Sequence, residues 1–301
     1  MQEAVERVDP DKLASAADFA LERLAKSQGK VGANFGFVGS RTTTMLANLA
    51  AARPGGVLYD PACGIGPALL ESVTLGARPE RVIGHDINER ALHIAEQRAE
   101  LHGIDIELTK TDILSADVDP TLRADVVILE PAFGLRLDAS ARLTDARFQF
   151  GTPPRSSADT AWLQHVVAHL AETGRGYVLS PSGTLLRGGE ERSIRTELVR
   201  RGCVEAVVGL SGKLLPHTSI PLALWVLRRP VSAPATEQVL FIDASEAVAP
   251  ENRVATWLND PATRQDVPHV EVPVADVARG GVGVHAAAVG RPDRARAWRG
   301  V

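Results

Sequence analysis

A short apolar run, Val57-Leu58-Tyr59, ends in an acid, Asp60. The chain then turns through Pro61-Ala62-Cys63-Gly64-Ile65-Gly66 into a helical pattern that begins at Pro67. Strand, acid, glycine turn and helix in that order make a ligand-binding corner. The two glycines lack Cβ and let the backbone approach a ligand closely. Pro67 suits a first helical turn, where its missing N–H has no partner to lose. The carboxylate of Asp60 selects the ligand: it repels a pyrophosphate and attracts a cationic amine.

S-adenosylmethionine (AdoMet) carries an ammonium and a sulfonium and no phosphate, so the corner favours it. A dinucleotide fingerprint, Gly-x-Gly-x-x-Gly, needs a small third residue for helix–strand packing. Leu69 stands at that place. Asp86 lies at the distance at which both cofactor classes use an acid for ribose hydroxyls, so it does not separate them. A plain tight turn is the third reading of the corner.

Downstream, strands and helices alternate. Arg81–His85, Ile106–Thr109, Asp125–Leu129, Gly176–Ser180, Val204–Leu210 and Leu222–Leu227 read as strands. Glu89–Leu101, Thr160–Ala171 and Glu190–Arg201 read as helices between them. Two helical patterns, 11–27 and Thr42 to Ala52, precede the corner. The continuous apolar run at Asp125–Leu129 predicts a strand buried on both faces. The alternation predicts an α/β fold with a doubly wound, mostly parallel, seven-stranded sheet. Asp60, Asp86, Asp112 and Glu130 all fall at or just after strand ends, where such sheets bind ligands. Three parts are expected: a helical segment with a cofactor-covering loop at 1–50, the sheet domain at 51–229 and an extension at 230–301. In the extension Val239–Asp243 reads as one more strand, and the remainder shows little periodicity.

Composition bounds the function. Hydrophobic residues make up 45% of the 301, enough for a large core, and the formal net charge of −4 argues against a wholly basic nucleic-acid binder. A local basic face, or a partner that carries the DNA contacts, stays open. Two cysteines make no disulfide framework, and a reducing cytoplasm fits. The sequence shows no apolar stretch long enough to span a bilayer. His85, His165 and His169 lack ligand-spaced partners, so no metal site is expected.

After the buried strand comes Glu130-Pro131-Ala132-Phe133-Gly134. Here the chain resembles the amino-methylating DNA methyltransferases, in which a strand ends in Asn, Asp or Ser, then Pro-Pro, then Tyr or Phe. Phe150–His165, Leu179–Gly189, Val204–Leu210, Thr218–Pro221 and Val239–Ser245 extend the resemblance. They are similar, in order, to the modification subunit of type I restriction–modification systems. The match runs from roughly residue 29 to 246. It implies a class I AdoMet-dependent methyltransferase fold, Rossmann-like, acting on adenine N6 in DNA. It also implies a specificity subunit for DNA recognition, and leaves open a homo- or hetero-oligomer.

The same resemblance implies roles for single residues. Glu130 and Pro131 would accept hydrogen bonds from the adenine amino group, and Phe133 would stack on a flipped base. Phe35, Asp60, Ala62, Gly64, Gly66, Asp86, Ile87, Asp112 and Ile113 would surround AdoMet, and Arg155 and Arg187 would contact phosphate or a partner. The plainer alternatives are helix caps for Asp86 and Asp112, core packing for Phe35 and Phe133, and a solvated face for the arginines. The chain departs from the family pattern at Glu130 and Ala132. Two further readings therefore stand beside catalysis on DNA: a lapsed AdoMet-binding or partner-binding module, and a methyltransferase for a non-DNA acceptor.

Overall fold

The computed structural model of the chain describes residues 12–28, 40–53, 55–137, 145–215, 219–233 and 237–282. It begins with helices α1 (Leu13–Gln28) and α2 (Ser40–Ala51). There follow β1 (Val57–Asp60), α3 (Pro67–Thr74), β2 (Arg81–Asp86), α4 (Glu89–His102), β3 (Glu107–Lys110) and β4 (Ala124–Leu129). Next come α5 (Asp159–His169), β5 (Leu170–Pro181), α6 (Gly189–Arg200), β6 (Val204–Leu210) and β7 (Leu222–Leu227). The last elements are β8 (Gln238–Ala244), α7 (Val254–Asn259), β9 (His269–Pro273) and α8 (Val274–Gly280).

The strands form one sheet in the order β3-β2-β1-β4-β5-β7-β6-β8-β9. β3 through β5 are mutually parallel, β7 runs antiparallel between β5 and β6, β8 is parallel to β6, and β9 is antiparallel to β8. The sheet is α/β, doubly wound and mostly parallel, as the alternation implied, but it has nine strands rather than seven. β8 was legible as an apolar run. β9 was not: its polar–apolar alternation covers only His269 to Val272, and of its five residues only Val272 is buried.

Successive side chains along each strand feed opposite cores. Tyr59, Val127, Leu129, Val178 and Trp225 join α5, α6 and α8 in one cluster. Leu58, Val126, Ile128, Leu179 and Leu224 join α2, α3 and α7 in the other. This period of two makes a three-layer molecule and explains why β4, covered on both faces, is apolar from Val126 to Leu129. α1 is tied to α4 by Asp18, which accepts from Arg98 Nε at 2.7 Å and lies 2.9 Å from His102 Nε2. Glu251, beyond β8, pairs with Arg41 of α2 at 2.9 Å, so the C-terminal segment packs against the N-terminal helix. Among the described residues no helix is long and apolar enough to cross a membrane.

Gly84 in β2 is needed for space. A Cβ there would stand 2.8 Å from Cys63 Sγ and 2.9 Å from Leu108 Cδ2. The glycine corner thus lies directly on β2. Gly84→Ala is expected to cost about 1–3 kcal/mol by overpacking, read as a lower urea midpoint. An unchanged midpoint would contradict this close approach.

Candidate functional site

The sheet reverses its winding between β1 and β4, which are parallel neighbours with Leu58 opposite Val126 and Tyr59 opposite Val127. The crevice beyond their carboxyl ends is the switch point at which such sheets take ligands. Asp60 is the last residue of β1 and Glu130 is the first after β4. Two acids seventy residues apart in the sequence therefore reach one crevice, near enough for the charge of Asp60 to act on Glu130.

Both carboxyls are buried, and both are pushed up to about 8. For Asp60 the main cause is desolvation. The Ala62 N–H, donating to Oδ1 at 2.9 Å, pulls the value partly back, and the charge of Asp86 raises it further. For Glu130 desolvation again leads, a hydrogen bond from Thr42 opposes it, and the charge of Asp60 adds to it. Glu130 Oε1 is enclosed and has no hydrogen-bond partner among the described residues. Buried carboxyls with so few donors favour a ligand that brings positive charge and N–H groups. AdoMet fits that demand at Asp60, and a pyrophosphate does not.

The glycine corner is held by its own backbone and by neighbours. Cys63 N–H donates to the His85 carbonyl, and Gly66 N–H to the Cys63 carbonyl, each at 2.8 Å. Ile65 carbonyl accepts from Arg98 at 2.7 Å. Gly64 and Gly66 adopt φ of 55° and 70°, the left-handed region in which a Cβ is strained. Asp86 accepts from Gly64 N–H at 2.8 Å and from Asn88 N–H at 2.7 Å. The N-cap of α4 is Asn88, whose side chain accepts from the Arg90 and Ala91 N–H groups, so Asp86 is not that cap. Ile87 between them is 64% exposed, an apolar side chain at the rim of the crevice.

Asp112 accepts from Leu114 N–H at 3.2 Å and from the Ser115 hydroxyl, so it organises a local turn, while Ile113 is buried. After β4, Pro131 is buried and Ala132 exposed, and Phe133 is partly buried against the core. Gly134, at φ 74°, lets the chain turn away. The loop is then pinned: Leu137 N–H donates to the Arg155 carbonyl at 3.2 Å, and Ala158 N–H to the Leu135 carbonyl at 2.9 Å. Arg155 is exposed. Arg187 instead pairs with Asp159 and Glu191 and donates to Ser157, so two carboxylates neutralise its charge within the fold. Phe35 lies outside the described residues. Sequence reasoning missed Thr42, whose contact with Glu130 depends on how α2 crosses the sheet. It also missed the polar pairings of His85, His165 and His169.

The family model described as N-6 DNA Methylase matches residues 8–269. Among curated proteins the chain is similar to the type I restriction enzyme HindI methylase subunit of Haemophilus influenzae. That relative is 27% identical over 81% of this chain and 56% of its own. The MjaVIII methylase subunit of Methanocaldococcus jannaschii is 29% identical over 78% of this chain and 43% of its own. The chain spans about half the length of these relatives. Among solved structures, the type I restriction-modification methyltransferase subunit of Streptococcus thermophilus shares the fold. Its TM-score is 0.78 at 24% identity, covering 91% of this chain and 63% of its own.

Ligand binding should report the state of Asp60. An ammonium needs the ionised carboxylate, and burial holds Asp60 protonated below about pH 8. Binding of S-adenosylhomocysteine is therefore expected to release a proton below that pH and to tighten as pH rises toward it. Calorimetry in buffers of different ionisation enthalpy reads the release. Asp60→Asn should abolish both effects, and a wild-type affinity flat from pH 6 to 8 would contradict the assignment.

Proposed function

The chain belongs to the N-6 DNA methylase family, and from that premise we propose that it transfers the methyl group of AdoMet to the exocyclic N6 of adenine in DNA. One observation carries the reading: Asp60 and Glu130 end adjacent parallel strands at the switch point, both buried. In this reading one carboxyl takes the donor's ammonium and the other the acceptor's amino group.

Bound AdoMet supplies an activated methyl group; the residues of this chain supply orientation. Asp60 and the backbone of Ala62, Gly64 and Gly66 hold the amino-acid end. Asp86 takes the ribose hydroxyls with Ile87 beside it, and Asp112 and Ile113 form the adenine seat. Glu130 and the Pro131 carbonyl accept hydrogen bonds from the target amino group, and Phe133 stacks on the base. Holding donor and acceptor in line is the larger part of such catalysis.

Glu130 stands where the family pattern has an amide or a shorter acid. Its raised pKa supports retained activity, because below about pH 8 the side chain is a neutral acid. Its carbonyl oxygen then accepts as an amide oxygen would, without a charge to draw the sulfonium away.

The acidic balance of the chain, −4, suits a protein that leaves sequence recognition to a specificity partner, working in the cytoplasm. Arg155 is the exposed candidate for a phosphate or partner contact.

Duplex DNA incubated with labelled AdoMet, alone and with a type I specificity protein, tests the reading. Label recovered as N6-methyladenine is expected. Glu130→Ala should lower kcat about a hundredfold through lost alignment, and Glu130→Gln should lower it much less. Folded protein that binds S-adenosylhomocysteine yet labels no DNA in either arm would be the lapsed module. Label in RNA or protein alone would mean a different acceptor.

A further inference from the structure

Below the cofactor crevice lies a buried polar chain that the proposed reaction leaves without a task. Arg147 is 3% exposed. Its NH1 donates to the Ile113 carbonyl at 2.6 Å and contacts His165 Nδ1 at 3.0 Å. Its Nε lies 2.9 Å from Asp145 Oδ1, and Asp117 Oδ2 stands 4.0 Å away. His165 Nε2 is 3.2 Å from the Tyr59 hydroxyl, which is 3.0 Å from His85 Nδ1. His169 stacks on His165 at 4.2 Å between ring centres and bonds Asp117 at 3.1 Å.

The direction of this chain follows from donor chemistry. A guanidinium only donates, so His165 Nδ1 accepts. Burial, with the charges of His169, Arg147 and His85, holds His165 neutral. Its single proton is then on Nε2 and is donated to Tyr59, whose hydroxyl in turn donates to His85 Nδ1. The origin of the series is Arg147.

The members are not scattered. Tyr59 precedes Asp60, His85 precedes Asp86, and Ile113 follows Asp112. Each of the three acids read as cofactor contacts therefore has a chain neighbour in one buried network. Arg147 touches the third of these segments directly, through the Ile113 carbonyl. Arg147 thus ties the Ile113 carbonyl to Asp145 and to His165 of α5 through one buried side chain.

We propose that Arg147 is a positioning residue that sets the Asp112–Ile113 turn and thereby the seat of the cofactor's adenine. This rests on the AdoMet reading of the crevice. Arg147 touches no reacting atom; it acts by fixing a backbone carbonyl and the turn around it. Otherwise the turn is held by bonds to Asp112 from Leu114, Ser115 and Ala116, and by the Thr111 N–H donating to the Asp86 carbonyl; Arg147 is the side chain from outside that holds the Ile113 carbonyl.

Calorimetry on the full chain with two probes tests this. S-adenosylhomocysteine carries both ends of the cofactor, and 5′-methylthioadenosine carries the adenosine end alone. Arg147→Lys is expected to weaken both probes by the same factor, about tenfold. Asp60→Asn should weaken the first probe alone. In a double-mutant cycle, Arg147→Lys and Asp112→Ala should be non-additive, because both act through one turn. A merely structural role would lower the melting temperature and leave affinity of the folded protein unchanged. Wild-type affinity for both probes, loss confined to S-adenosylhomocysteine, or full additivity with Asp112→Ala would overturn the proposal. Failure of the wild-type chain to bind S-adenosylhomocysteine would overturn the AdoMet reading itself. Should Arg147→Lys not fold, Asp145→Asn leaves the guanidinium in place but removes its anchor, and the same pattern is expected with a smaller factor.

Discussion

Two carboxyls with little solvent and few donors sit at the ends of adjacent parallel strands, and the architecture of the chain serves to hold them there. Burying Asp60 and Glu130 disfavours their charged forms, and neighbouring charge adds to this, from Asp86 on Asp60 and from Asp60 on Glu130. That arrangement persists because β1 and β4 are fixed at their starts. The Asp125 carboxylate of β4 accepts the Val57 N–H of β1 at 2.8 Å. Gly56, at φ 70°, lets the chain pass where a Cβ would lie 1.9 Å from that same carboxylate. With the register set at one end, both acids are delivered to the crevice at the other.

The glycine corner, β2 and α4 form a second fixed body around this point. Gly84 admits the corner onto the sheet, Asp86 binds the backbone of both the corner and the helix entry, and Arg98 reaches from α4 to the Ile65 carbonyl and on to Asp18 of α1. The buried series from Arg147 to His85 underlies the same segments from the opposite face of the sheet. A ligand entering the crevice meets a largely preformed shell, in which the unsatisfied groups are Glu130 Oε1 and a carboxyl without its cation.

Features set by local chemistry were legible in the sequence. Asp60, Gly64, Gly66 and Pro67 declare a strand–turn–helix corner within eight residues, and β6 and β7 fall on their apolar runs to the residue. Features that depend on distant packing were not. The edge strand β9 is too short and too exposed for its brief alternation to stand out, and Asp86 resembles a cap until Asn88 is seen to fill that role. Arg187 looks like a spare cation until Asp159 and Glu191 are found against it. The histidines are spread over eighty-odd positions and only the sheet brings them to Tyr59. Glu130 was visible as a departure from a family pattern. Its consequence, a neutral acid able to replace an amide, follows from burial beside Asp60 and could not be read from residue identity.

The most direct test of the central claim is a crystal structure of the chain soaked with S-adenosylhomocysteine. The predicted result seats the ammonium on the Asp60 carboxylate, the ribose hydroxyls on Asp86 and the adenine against Ile113, with the sulfur facing Glu130 and Pro131. A ligand seated away from the β1–β4 crevice, or one whose ammonium avoids Asp60, would contradict it.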